Sequence, residues 1–335
     1  MKRFTSIQHQ LLDFLANGDC KSGNAIAKEI GVSRTAIWKQ ISQLTDFGLD
    51  IKRNPRQGYQ LTHPFIALNE TTIRYYLQRL NYKKQLNLDL FAEIDSTNRY
   101  LKDLPSSAIT TICCAETQTQ GRGRFGRKWV SPFGENIYFS GRWQLNCCIS
   151  KLSGLSLAIS LAILSSLKCN NIQKDIYLKW PNDLLWQDKK LSGVLIEVIA
   201  EANSCIEIII GIGINVNTKN KSSSESPWCS LYDMTGLYFD RNRLIASLIT
   251  NLDLSLKQFL DQGFKSFHDE WQQVDYLDGH YITVFQPHLT LSGHVCGVNE
   301  LGQLCLIDDK GKCHYLSSGD TSLKNQAFTN KFAPS

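Results

Sequence analysis

Residues 121–129 read Gly-Arg-Gly-Arg-Phe-Gly-Arg-Lys-Trp, four cations and three glycines with no acid before Glu135. Such a run excludes a self-supporting helix or strand: like charges repel, and glycine loses more backbone freedom on folding than any other residue. It orders when something neutralises the cations and lies close to the bare backbone. An anion-binding loop therefore competes with the plainer reading of a solvated basic loop. The letters also satisfy Gly-x-Gly-x-x-Gly, a phosphate turn that needs a hydrophobic strand before it and a helix opening at its third glycine. The lead-in Glu116-Thr117-Gln118-Thr119-Gln120 is polar, and the exit Val130-Ser131-Pro132-Phe133-Gly134 is broken by Pro132 and Gly134. Context excludes a dinucleotide fold, and the absence of Gly-Lys-Ser/Thr excludes a Walker loop.

The first 62 residues read as a unit. Ile7, Leu11, Phe14 and Leu15 recur at helical spacing after a cap at Thr5 or Ser6, and Asn17-Gly18 ends the run. A second helix starts at Ser22, carries Ile26 and Ile30, and stops at Gly31; Ser33 caps a third with Ile37, Ile41 and Leu44 inward, closed at Gly48. Two helices joined by Gly31-Val32-Ser33 make a helix-turn-helix. Ser33, Arg34, Thr35, Lys39, Gln40 and Gln43 then supply base-edge and phosphate donors along a recognition helix. Strands expected at 49–53 and 59–61 flank Asn54-Pro55-Arg56-Gln57-Gly58, a wing whose basic residues are Arg53 and Arg56. Residues 1–62 hold nine Lys/Arg against five Asp/Glu, a net of 9 − 5 = +4, so most of the chain's +5 lies here, as a DNA-contacting module requires.

The middle of the chain alternates α and β. A strand over 88–94 ends at Asp95-Ser96-Thr97-Asn98, where Ser96 and Thr97 cap a helix or face a polar ligand. A strand over 112–115 delivers Gln118 and the basic run, and the apolar helix 152–167 is buried against a sheet. Strands follow over 176–180, 190–197 and 205–215. Lys179 and Lys190 converge on the basic run as an anion clamp, or snorkel to solvent. Gly193, Gly211 and Gly213 inside strands mark close approach of a ligand or backbone. Strand 205–210, alternating Ile with Glu207, suits a sheet edge that pairs with a second copy.

A chain of 335 residues allows two or three domains. No apolar run reaches the roughly 18 residues of a membrane span, and the start has no signal-peptide core, so the expectation is a cytoplasmic protein with no membrane partner. Eleven cysteines without Cys-x-x-Cys spacing fit reduced thiols rather than disulfides or zinc, and no metal ligand is assigned. Turns at 299–302 and 308–311 among short strands suit a small barrel near the C-terminus.

Taken in order, Asp95-Ser96-Thr97-Asn98, Gln118, the 121–129 run, Lys179-Trp180-Pro181-Asn182-Asp183, Lys190-Leu191-Ser192-Gly193 and Gly211-Ile212-Gly213-Ile214-Asn215 resemble the bifunctional bacterial biotin–protein ligases, also called the biotin operon repressor. The likeness runs from Ser33 to Gly319-Asp320; Phe125 stands where some members carry another cation. It implies an α+β protein: a winged helix-turn-helix over 1–64, a mixed α/β ligase domain with a class II synthetase-like sheet over 68–270, and an SH3-like β-barrel over 271–325. It further implies that biotin and ATP, with Mg²⁺, condense to biotinoyl-5′-AMP and pyrophosphate. The biotinoyl group then passes to a lysine of a biotin carboxyl carrier protein.

By the same resemblance, biotin is held by Ser96, Thr97, Asn98, Gln118, Gly121, Arg122, Gly123, Arg124, Lys190, Gly193 and Gly213. ATP and the adenylate are held by Arg122, Arg124, Lys179, Asn182, Lys190, Asn215 and Trp228, with Arg124, Lys190 and Lys179 catalytic. Biotinoyl-5′-AMP would also be the corepressor that drives a homodimer onto operator DNA. Three alternatives stay open: a ligase whose DNA-binding domain is no longer used for regulation, a biotin-sensing transcription factor without catalysis, and a lipoate or octanoate ligase of related fold.

Overall fold

A computed structural model of the chain describes residues 1–16, 18–55, 57–202, 205–219, 227–286 and 289–323. Expectations placed on Asn17 and Arg56 lie outside these residues. In the N-terminal unit, Thr5 and Gln8 form a reciprocal capping box that opens α1 (Ser6–Leu15). Ser22 and Ser33 cap α2 (Gly23–Ile30) and α3 (Arg34–Asp46), and Gly31 closes α2 in the left-handed conformation. The strands β1 (Ile51–Asn54) and β2 (Gly58–Leu61) form an antiparallel hairpin with Ile51 opposite Leu61. Leu11, Leu15, Ile26, Ile37 and Leu44 bury completely into a core belonging to this unit.

The central unit contains, in chain order, α4 (Glu70–Arg79), β3 (Leu86–Phe91), α5 (Thr97–Asp103), β4 (Thr110–Ala115), β5 (Ile137–Leu145) and α6 (Leu155–Cys169). Then come β6 (Tyr177–Lys179), β7 (Asp183–Trp186), β8 (Lys189–Ala202), β9 (Cys205–Ile214), α7 (Leu231–Thr235), α8 (Arg241–Gln262) and α9 (His268–Gln272). The seven strands form one mixed sheet in the order β3-β4-β5-β9-β8-β7-β6, parallel only between β3 and β4. Along β9, Ile208, Ile210, Ile212 and Ile214 face the layer built by α6 and α8, while Ile209 faces α5 on the opposite side. The terminal strands β10 (Tyr281–Gln286), β11 (Leu289–Val298), β12 (Leu304–Asp308), β13 (Cys313–Leu316) and β14 (Asp320–Leu323) form an antiparallel sheet ordered β13-β12-β11-β10-β14. Val284, Val295, Leu304 and Leu306 join the hydrophobic core of the central sheet, so these two parts pack as one body.

The structure overturns one expectation about the sheet. Residues 205–210 are not an edge: β9 pairs with β5 on one side and β8 on the other. Glu207 is buried there because Arg142 of β5 donates to its carboxylate, and Ser106 does so as well. Strands β5 and β7 had no counterpart in the sequence reading.

Two attachments hold the N-terminal unit to the central one. Lys2 exchanges backbone hydrogen bonds with residues 92–93, at the end of β3, while Arg3 pairs with Asp89 at 2.6 Å. Phe133, immediately after the basic run, stacks on Phe47 at the end of α3, with centroids 5.5 Å apart, and touches Phe4 and Phe65.

The joint before β10 carries a pH-dependent cost. Asp275 accepts a 2.9 Å hydrogen bond from the Leu277 N–H, yet burial pushes its carboxyl up to about 6. A folded value above the unfolded one means that Asp275 favours the fold below about pH 4, and that this contribution is lost as pH rises through about 6. Asp275→Asn should therefore match wild type in thermal midpoint near pH 4 and exceed it at pH 8. An equal difference at both values would contradict this assignment.

Candidate functional site

Beyond β3 the chain turns a sharp corner into α5, and Ser96 caps that helix by accepting from the Arg99 N–H. The Thr97 N–H and Oγ1 both reach Gln118 Oε1, at 2.9 and 3.1 Å, so the amide oxygen of Gln118 is used twice. Ser140, fully buried on β5, lies 2.6 Å from Thr97 Oγ1 and 2.5 Å from Asn98 Oδ1. Asn98 Nδ2 donates to Glu197 at 2.6 Å. Such a network fixes hydroxyl and amide orientations before any ligand arrives, which suits a small ring dense in N–H and C=O groups. Two strand glycines answer to the chain itself. A Cβ on Gly211 would lie 2.3 Å from Asn98 Oδ1, and one on Gly213 would lie 2.4 Å from the Trp129 indole.

The basic run is a closed loop. Gly123 N–H donates to Arg127 O at 2.7 Å and Trp129 N–H to Gly121 O at 2.9 Å, with Phe125 at a left-handed φ of 52°. Neither a strand nor an α-helix forms there. Its cations separate by environment. Arg124 is half-buried, donates to Asn182 Oδ1 and Gly319 O at 3.2 and 3.4 Å, and has its pKa pulled down by burial. Arg127 is exposed and pairs with Asp320 of β14. Lys179 donates to Thr321 O at 3.0 Å, and burial lowers its pKa too. Lys190 pairs with Asp183 at 2.7 Å and lies 5.6 Å over the Trp129 ring.

These parts surround a cavity of about 930 Å³ that opens against the C-terminal sheet. The corner residues Ser96, Thr97 and Asn98 line one part with Gln118, Arg122 and Gly123; Arg124, Lys179, Asn182 and Lys190 line another. Gly193, Gly213, Asn215 and Trp228 complete the set expected from sequence, apart from Gly121, where a Cβ would instead meet Trp129 O at 2.6 Å. Both carboxamides of the set expected to hold ATP and the adenylate also have internal partners: Asn182 Nδ2 donates to Val194 O and Asn215 Nδ2 to Cys229 O. Asp183, Tyr276 and Asp320 line the cavity without having been singled out for a role. Asp320 is 193 residues from its partner Arg127, a distance no local pattern reveals.

On the other unit, Arg34, Thr35 and Lys39 are exposed on α3 and Arg53 on β1. Ser33 is occupied as the cap, Gln43 accepts from Gln8 at 3.2 Å, and Gln40 is only half-exposed. Trp38, for which the sequence reading gave no role, is 53% exposed between them.

Comparison with known proteins places these features. The family model described as "Biotin/lipoate A/B protein ligase family" matches residues 90–215, and one described as "HTH domain" matches residues 8–60. The chain is 34% identical to "Bifunctional ligase/repressor BirA" of Escherichia coli (strain K12), across 94% of this chain and 97% of that one. It is 29% identical to the protein of the same name from Bacillus subtilis (strain 168), across 88% and 92%. A solved structure, "Biotin protein ligase from Aquifex aeolicus in complex with biotin and ATP", superposes with a TM-score of 0.60 at 32% identity, covering 72% of this chain and 99% of that one.

Proposed function

The chain belongs to the bifunctional biotin–protein ligase/repressor family, and from that premise we propose how its residues divide the work. It is an ATP-dependent biotin–protein ligase that also represses transcription through its helix-turn-helix domain. One observation carries the chemical half: a single cavity joins a pre-oriented hydrogen-bonding corner to three converging cations, Arg124, Lys179 and Lys190. The corner takes the ureido ring, and an analogue lacking a ring N–H would leave buried partners unpaired. The cations face the biotin carboxylate and the α-phosphate, two anions whose repulsion otherwise opposes reaction. A carboxylate oxygen attacks the α-phosphorus and pyrophosphate leaves, giving biotinoyl-5′-AMP. The acceptor's lysine amine then attacks the acyl carbon, AMP departs, and the amine loses a proton. Positioning and charge stabilisation suffice, with no covalent protein intermediate.

Asp183 and Asp320 offer carboxylates in the cavity, each already paired with a cation, and no group of three or more potential metal ligands occurs among the described residues. Mg²⁺ therefore fits as an ion carried mainly on the nucleotide's phosphates, with at most one or two protein oxygens. The acceptor is a carboxyl carrier protein, and the compartment is cytoplasmic. No helix among the described residues is long and apolar enough to cross a membrane. We assign the domains to 1–64, 68–270 and 271–325, with the β1–β2 hairpin as a wing, a class II synthetase-like central sheet, and the five terminal strands as an SH3-like barrel. Pyrophosphate release should appear with biotin plus ATP and stay at background with lipoate plus ATP. The reverse preference would sink the assignment.

Recognition of operator DNA rests on α3 and the hairpin. Arg34→Ala and Lys39→Ala should weaken operator binding by about 1–3 kcal/mol for a base contact and less for a phosphate contact, leaving ligation intact. Gel-shift titration and acceptor labelling on the same samples check this. The repressing species is a dimer formed when the adenylate is bound. By linkage, dimerisation tightens adenylate binding by the factor with which adenylate tightens dimerisation. Sedimentation with and without a non-hydrolysable biotinoyl-AMP analogue should move the monomer–dimer balance. An unchanged balance would remove the regulatory half.

A further inference from the structure

We propose that Trp38 is a sequence-reading residue that packs against a thymine methyl group in the major groove. This rests on the DNA-binding reading of the N-terminal unit and deepens it. Trp38 occupies the fifth position of α3, one helical turn beyond Arg34 and so beside it on the helix surface, and Lys39, next in sequence, is exposed as well. The inward stripe of the same helix, Ile37, Ile41 and Leu44, is almost wholly buried, whereas Trp38 is 53% exposed. Among the exposed large apolar side chains of the described residues Trp38 is the one tryptophan, a broad, rigid contact area with a polar N–H, and it is set among cations.

The charge around Trp38 selects the occupant. Arg34 and Lys39 on α3, and Lys52 and Arg53 on β1, make no ion pair among the described residues. A protein partner for this face would need carboxylates; a DNA duplex supplies phosphates for the cations and, between them, base edges for the indole. Two glutamines that would otherwise read adenine are poorly placed, since Gln43 is bonded to Gln8 and Gln40 is half-buried. That leaves Arg34, Thr35 and Trp38 at the N-terminal end of the helix, the part that reaches base edges in helix-turn-helix complexes. Among groove groups, the thymine C5-methyl is the one an apolar surface recognises.

The test removes the methyl without changing hydrogen bonding. A preferred duplex is first selected from a randomised library with the full-length protein, biotin and ATP, and each thymine is then replaced singly by deoxyuridine. At one position per half-site the replacement should weaken wild-type binding about four-fold, the worth of one buried methyl group, and should leave Trp38→Ala unaffected. Trp38→Phe should keep part of the discrimination, and thermal midpoints of the variants should match wild type because the side chain lies outside the core. Equal responses of wild type and Trp38→Ala at every thymine would overturn the proposal while leaving the DNA-binding reading intact. A selection returning no preferred sequence would overturn both. A Trp38→Ala variant whose sedimentation changes while its thymine response does not would assign the surface to a second copy and overturn it as well.

Discussion

Glu116→Ala should lower the unfolding free energy by about 3–5 kcal/mol, the cost of removing one partner from a buried ion pair. Glu116 and Arg241 are each only 1% exposed and lie 2.6 Å apart. The second carboxylate oxygen of Glu116 accepts the Leu68 N–H at 2.7 Å, so truncation orphans a buried amide as well as a buried guanidinium. Arg241 retains the Ile66 carbonyl, a neutral acceptor that leaves its charge uncompensated. The effect is read from the urea midpoint at constant slope. A loss under 1 kcal/mol would show that water reaches the pair. Glu116→Gln keeps the shape and the contact with Leu68 and should cost less.

Arg124→Gly should reduce adenylate formation and retention by about 10²–10³-fold, the scale of removing one preorganised charge-stabilising donor. Arg127→Gly should act far less. The difference lies in placement: Arg124 is held into the cavity by Asn182 and Gly319, whereas Arg127 is exposed and tied to Asp320. Glycine also restores backbone freedom to the loop, so the intermediate should escape and label bystander lysines. Single-turnover formation of biotinoyl-AMP separates retention from transfer. Wild-type rates with labelling confined to the true acceptor would reassign Arg124.

Much of this was readable from local chemistry. The caps at Ser22, Ser33 and Ser96 bind the amides their positions suggest. The misreadings share a cause: partners distant in sequence. Strand β5 hides its periodicity because both faces are buried, with Ser140 and Arg142 among its inward residues. Pro181 and Asn182 masked the strand beginning at Asp183. The alternation around Glu207 imitates an exposed edge, since nothing local announces that Arg142, 65 residues earlier, neutralises it. Glu116 looked like part of a polar lead-in for the same reason, its partner being 125 residues away. In the cavity, the expected convergence of Lys179 and Lys190 on the basic run is found, but the fixed orientation of Thr97 and Asn98 depends on Ser140, visible only once β5 is beside α5.

The stack of Phe133 on Phe47 has an evolutionary consequence. The short segment that lines the cavity through Trp129, Val130 and Pro132 continues directly into the ring that seats the end of α3. Inherited changes at 129–133 are therefore exposed to selection by two trades at once, the making of a vitamin-bearing enzyme and the reading of a promoter. A lineage that discards its operator does not release these positions, because Phe4, Phe47 and Phe65 would still need a cover. Drift in such a lineage should collect first at Arg34, Thr35 and Trp38, which are exposed on α3, and reach the aromatic seat last.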